Sequence, residues 1–324
     1  MSEAPQPVHA GLVDRLLKGD PRALARTITA VENESPGSSA ILAAIQPHLG
    51  RSNIIGVTGP PGAGKSTLID AMIRELRLRG RTVGVLAVDP SSPISGGAIL
   101  GDRIRMNGHA GDPGVFVRSL ASRGHLGGLF RTAWGVVQVM DAYGPDHIIV
   151  ETVGAGQSEV EIADVAHMRL VLCAPGAGDD IQAIKAGILE IADVLVVNKS
   201  DHPMAEQTRR QLEAMLGLRD PRAQTAKIMA TVATTGQGLP ELVDELEAAA
   251  RGTQMSRRLD LKVRLRRILA DATANIVRAR ILAGETEAIE AICNRIASGE
   301  IAPAEAARGV LLALRDEHAG DCAV

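Results

Sequence analysis

Residues 53–79 read NIIGVTGPPGAGKSTLIDAMIRELRLR, and the reading of this stretch decides the architecture. Its opening residues form an apolar run without polar alternation, as expected of a strand covered on both faces. Six residues rich in Gly and Pro follow, and residues 68–79 read as a helix. Six more runs share the texture of the first: 82–89, 115–119, 147–154, 169–175, 194–200 and 226–232. Short apolar strands separated by helical stretches predict an α/β protein with a mostly parallel sheet flanked by helices.

The first loop carries the chemistry. Gly59-Pro60-Pro61-Gly62-Ala63-Gly64-Lys65-Ser66-Thr67 fits G-x-x-x-x-G-K-[S/T] in the strand–turn–helix context that gives the motif meaning. Glycines let backbone N–H groups converge on phosphate oxygens, and the helix N-terminus adds its dipole. Lys65 then supplies a point charge to the β- and γ-phosphates, and the Ser66 hydroxyl is a ligand for Mg²⁺. With 34 glycines and six lysines in 324 residues, chance supplies this pattern about 0.01 times per chain. The fold expected is therefore that of the P-loop NTPases.

Flanking segments are helical. In GDPRALARTITAVEN, Asp20 is placed as an N-cap, Pro21 at the first helical position, and Leu24, Ile28 and Val31 on one apolar stripe. SPGSS at 35–39 ends that segment. Beyond residue 252 the strands stop, and 256–282, 284–298 and 303–318 have helical spacing, with Pro303 at a helix start. Leu261, Leu265, Ile268, Leu269, Ala272 and Ile276 form a candidate apolar seam. The expected organisation is an N-terminal helical segment (1–50), a nucleotide-binding domain (51–252) and a helical arm (253–324) that packs on a second copy of the chain.

Composition narrows the function. Phe116, Phe130, Trp134 and Tyr143 are the whole set of Phe, Trp and Tyr, and net charge is −3. The core must be aliphatic, and the stacking platforms and positive fields of nucleic-acid binders are missing. Neither nucleic acid nor a membrane is expected as a partner. Cys173, Cys293 and Cys322 are widely spaced, which suits a reducing compartment. The first residues lack a secretory pattern, and no apolar run nears the ~18 residues of a membrane span. A cytoplasmic location is expected.

Asn198-Lys199-Ser200-Asp201 closes a strand at the carboxyl edge, where sheets of this kind bind ligands. The Asp201 carboxylate can accept from both N1–H and the 2-amino group of guanine, whereas adenine presents an acceptor at N1. Lys199 can lie along the purine face, and Asn198 can tie this loop to the first one. Val232-Ala233-Thr234-Thr235, after the next strand, can present an amide to the guanine carbonyl. Arginine outnumbers lysine 29 to 6, yet Lys65 and Lys199 fall in these motifs and Lys185 follows a Gly-rich loop. Candidates around Mg²⁺ are Asp89, Asp102 and Glu151, of which not all need ligate directly; Asp102 also fits a helix N-cap. Gly154 can donate its amide to a γ-phosphate and shift on hydrolysis.

These residues, with LAVDPSSPISGGAILGDRIRM, LGGLFRT, ETVGAGQSE and PGAGDDIQAIKAGILEIADVLVVNKSD, resemble the MeaB/ArgK GTPases, metallochaperones of cobalamin-dependent acyl-CoA mutases. The likeness spans roughly residues 15–250, and the C-terminus resembles the family's dimerisation arm more loosely. It implies a SIMIBI-class GTPase that gates cobalamin loading and protects a mutase such as methylmalonyl-CoA mutase. Gly62, Ala63, Gly64, Lys65, Ser66 and Thr67 would hold the phosphates of GTP or GDP, and Asn198, Lys199 and Asp201 would read guanine. Ser66, Asp89, Asp102 and Glu151 would surround Mg²⁺. The loop ending at Lys185 resembles the family's third switch, where Lys185 would couple partner binding to hydrolysis.

Three departures stand out. The switch acid is Glu151 where G proteins in general carry Asp, Gln157 lies three residues beyond Gly154, and Ile94 replaces an aromatic residue of the family. The residue orienting the attacking water is open, with Asp89 and Glu151 as candidates. Three rival functions are weighed: a nickel-insertion GTPase, an ATPase or kinase linked to amino-acid transport, and a GTP-bound scaffold that does not hydrolyse. The eight histidines, His9, His48, His109, His125, His147, His167, His202 and His318, include no i,i+3 or i,i+4 pair and read as caps or surface residues.

Overall fold

The computed structural model describes residues 8–89, 107–109, 111–121, 128–152, 165–176, 191–217, 226–252 and 287–310, with single positions between 266 and 282. Two compact units divide the chain, residues 1–264 and 265–324.

Seven parallel strands form the sheet of the first unit: β1 Asn53–Thr58, β2 Val83–Asp89, β3 Val115–Ala121, β4 His147–Thr152, β5 Met168–Cys173, β6 Val194–Val197 and β7 Lys227–Ala230. Their order is β3-β2-β4-β1-β5-β6-β7. All seven strands expected from the apolar runs are present. Several end earlier than those runs suggest. β1 and β4 are buried along their whole length.

The pleat divides each strand between two cores. Leu170 and Leu172 of β5, with Val194 and Val196 of β6, pack among Leu68, Ile69, Met72 and Ile73 of α4 (Lys65–Leu78) and Leu242, Val243 and Leu246 of α7 (Leu239–Gly252). Val171, Cys173, Leu195 and Val197 point the other way, onto α6 (Ala205–Gly217). A run apolar at every position is what a strand covered on both faces requires.

The N-terminal helices, α1 Val8–Leu17, α2 Pro21–Glu32 and α3 Ser38–Ile45, pack on one another and on α5 (Gly128–Tyr143). Asp20 caps α2 as expected: its Oδ1 accepts from the N–H of Arg22 at 2.8 Å and of Ala23 at 3.3 Å, with Pro21 at the first position. Leu24, Ile28 and Val31 are buried. Asp141, in the last turn of α5, accepts from the N–H groups of Gly50, Arg51 and Ser52 at 2.5, 3.0 and 2.7 Å. That clip sets where β1 begins, and therefore where its loop emerges.

The second unit holds α8 (Glu287–Ala297) and a helix over 303–310 that Pro303 opens as expected. Ile289, Ala306 and Val310 are buried. Leu269, of the expected apolar seam, is 67% exposed; Leu261, Leu265, Ile268, Ala272 and Ile276 lie outside the described residues, as does Cys322. No helix among the described residues is long and apolar enough to cross a membrane.

Candidate functional site

Because β1 lies between β4 and β5, the loop after it emerges beside the carboxyl ends of both. Val57 pairs with Glu151 in register, and Thr152 donates a hydroxyl hydrogen bond to Thr58 at 3.0 Å. The loop then enters α4 directly. Lys65 is the first helical residue, three positions earlier than the sequence suggested. N–H groups of a first helical turn have no intrahelical partner, so those of α4 are directed toward the loop that precedes it.

Lys65 is buried, with its ammonium donating to the carbonyls of Gly59 at 2.8 Å and Pro60 at 3.1 Å. An ammonium placed there adds fixed positive charge to the dipole of α4. Ser66, also buried, donates its hydroxyl to Glu151 Oε1 at 2.9 Å. Two residues expected around Mg²⁺ are thus in contact, although the chain separates them widely. Among the described residues no three His, Cys, Asp or Glu side chains converge to hold a metal ion. Asp89 is described as the last residue of β2; Asp102, Gly154, Gln157, Lys185 and Ile94 lie outside the described residues.

Asn198 follows β6 directly and organises the second half of the site. Its Nδ2 donates to the Ala63 carbonyl at 3.0 Å, and its Oδ1 accepts from Thr231 Oγ1 and from the Ala233 N–H, each at 3.2 Å. One buried amide therefore joins the phosphate loop, its own loop and the loop after β7. Gly64 is the complement of that amide: with φ at 91°, a Cβ on it would sit 2.5 Å from Asn198 Nδ2. Lys199 adopts φ 55° and reaches across to donate to the Gly62 carbonyl at 3.0 Å. A lysine in the left-handed region is uncommon and marks a loop constrained by its neighbours.

These loops enclose a cleft of about 460 Å³ lined by Gly64, Thr67, Asn198, Lys199, Asp201, His202, Pro203, Val232, Ala233 and Thr234. Eight of these ten were singled out from the sequence. Asp201 and Thr234 are exposed, so their polar groups are accessible from the cleft. His202 and Pro203 are the two that the sequence does not indicate. The histidines read as caps or surface groups, as His202 is, exposed with Nδ1 accepting from the Met204 N–H, and adjacency to Asp201 is the signal for its place in the cleft.

A lysine-bearing glycine loop between strand and helix, sharing a cleft with an Asn-Lys-Ser-Asp loop, defines a P-loop nucleotide-binding protein. Residues 24–289 match the model of a family described as Methylmalonyl Co-A mutase-associated GTPase MeaB, and the chain belongs to this family of P-loop GTPases. A protein of Pyrococcus abyssi described as a GTPase is 44% identical over 310 residues, 93% of this chain and 95% of that one. The GTPase ArgK of Escherichia coli is 46% identical over 193 residues, 58% of each chain. A crystal structure described as a LAO/AO transport system kinase superposes with a TM-score of 0.72 at 26% identity, covering 97% of this chain and all of that one.

Proposed function

We propose that this GTPase requires Mg²⁺, reads guanine through Asp201, and acts as a chaperone that gates cobalamin loading of an acyl-CoA mutase. The observation that carries this reading is the match of residues 24–289 to a family whose description joins a GTPase to methylmalonyl-CoA mutase. The phosphate-binding part of it is supported by the buried Lys65 and Ser66 at the start of α4 and by the contact of Ser66 with Glu151.

In this reading the amides of residues 62–67 and the Lys65 ammonium hold the triphosphate, and negative charge that develops on the γ-phosphoryl group meets positive charge already in place. The Ser66 hydroxyl and the Glu151 carboxylate, buried and 2.9 Å apart, are hard oxygen donors of the kind Mg²⁺ takes. Bound there with Asp89 and Asp102 nearby, the ion would neutralise phosphate charge. Asp201 accepts from the guanine edge, Lys199 lies along the base, and Asn198 holds both loops in register, with the Val232–Thr234 loop closing the cleft. Gly154 follows the γ-phosphate and Lys185 couples the partner to hydrolysis. Attack by water is in line, with Asp89 or Glu151 orienting it. Residues 253–324 form the arm of a homodimer, and the protein works in the cytoplasm.

Phosphate release tests the reading. GTP should be hydrolysed slowly by the protein alone and faster when a cobalamin-dependent acyl-CoA mutase is added. Lys65→Ala should lower both rates at least a hundredfold, since it removes the fixed charge on the phosphates. Preferential turnover of ATP would instead favour the transport-kinase function. Tight GTP binding with no turnover under either condition would leave a scaffold.

A further inference from the structure

We propose that His202 is a nucleotide-binding residue, its imidazole forming the aromatic wall of the cleft on which the purine rests. This rests on the reading of the cleft as a guanine nucleotide site and goes beyond it by naming a second side chain, besides Lys199, that meets the flat surface of the base.

The argument begins with scarcity. A purine offers two π faces, and stacking on an aromatic side chain is a common source of affinity for a base. This chain has four Phe, Trp and Tyr residues in all, and none of them is among the described residues that line the cleft. The one aromatic ring in that lining belongs to His202, next to the carboxylate assigned to the guanine edge.

That ring is held in place before any ligand arrives. The His202 N–H donates to the Lys199 carbonyl at 3.0 Å, closing the turn that carries Asp201. The Met204 N–H donates to Nδ1 at 3.2 Å, which leaves Nε2 as the protonated nitrogen of the neutral ring. The ring also lies close to Gly176, just beyond β5. A Cβ there would lie 3.0 Å from Cε1 and 3.4 Å from Nε2, and the φ of 91° independently favours glycine. The imidazole is thus oriented by one hydrogen bond and lies close to a residue that has no side chain, yet His202 is exposed and lines the cleft. A surface ordered in advance binds at a lower entropic cost.

Titrations with fluorescent and unlabelled GDP and IDP on the full chain test this. His202→Ala should weaken both diphosphates about tenfold, because each has a purine to stack. His202→Asn, which retains an acceptor for the Met204 N–H but has no ring, should weaken them as much. His202→Phe, with a ring and no nitrogen, should stay within about threefold of the wild type. Wild-type affinity in His202→Asn would show that the residue only caps its loop, and His202→Phe as weak as His202→Ala would show that the π face is not what binds; either overturns the proposal. The guanine reading fails by a different result: no GDP binding by the wild type, or no gain of xanthosine diphosphate affinity in Asp201→Asn.

Discussion

Asn198 shows how much of the site depends on single atoms. Its amide satisfies the Ala63 carbonyl on one loop and the Ala233 N–H on another, so Asn198→Ala leaves buried polar groups on both without partners. Destabilisation of about 3 kcal/mol is expected, read as a lower urea midpoint with an unchanged m-value, together with a large loss of GDP affinity. Gly64→Ala should be as damaging for a different reason, since its methyl would overlap Asn198 Nδ2 from a backbone conformation that alanine resists. A loss of GDP affinity of at least a hundredfold is expected by calorimetry, and wild-type binding would contradict the geometry. Both residues were legible as motif members in the sequence. The tie between their loops is also expected from the motif pair, and the bond from Asn198 to the Ala63 carbonyl bears it out. Which atoms meet was not legible, because 64 and 198 belong to loops after different strands and nothing local reports their exact approach.

At the level of elements, the local signals read well where local physics decides. Asp20 and Pro21 define the start of α2 by satisfying or lacking N–H groups within a few residues. All seven strands followed from uninterrupted apolar runs. The clip between α5 and β1 was not foreseen, because a lone Asp at a helix C-terminus looks like a solvated charge. Its carboxylate receives three backbone N–H groups and is buried. Asp141→Ala should therefore cost about 3 kcal/mol, as an uncompensated set of buried donors does, measured by chemical denaturation; a change under 0.5 kcal/mol would show that water replaces the carboxylate. The N-terminal helices read correctly as helices, while their packing on α5 depends on a tertiary surface that no window of sequence displays.

For the molecule as a whole, acid stability follows from His147. The residue begins β4 and is buried. Burial lowers its pKa below the usual 6.5, outweighing the attraction of Asp146 and Glu247, and Arg81 adds to the lowering. The folded protein therefore binds fewer protons at this site than the unfolded chain. Stability from this residue is complete above pH 6.5 and declines as pH falls through 6.5 toward the lower folded value, by at most about 1.4 kcal/mol per pH unit. Asp146 is also held below the usual carboxylate range: burial raises it, but hydrogen bonds from the Thr82 N–H and hydroxyl and the charge of Arg81 prevail. Its contribution is lost only as pH falls below 3.8, so the interval between 6.5 and 5 separates the histidine from this carboxylate. Urea titrations across that interval should show a falling midpoint in the wild type and a flatter profile in His147→Gln.

What the sequence determined by itself was everything encoded over short spans: the strand–loop–helix cradle, the purine-reading tetrapeptide, the helix caps and the α/β alternation. Periodicity, capping and motif spacing are properties of neighbouring residues, so they can be read without a fold. Only the tertiary structure decided that β4, β1, β5 and β6 lie side by side, so that Glu151 Oε1 accepts directly from Ser66, the expected tie from Asn198 falls on the Ala63 carbonyl, and the His202 ring lies close to Gly176. Strand order arises from packing helices on both faces of one sheet, a condition on the whole chain rather than on any stretch of it.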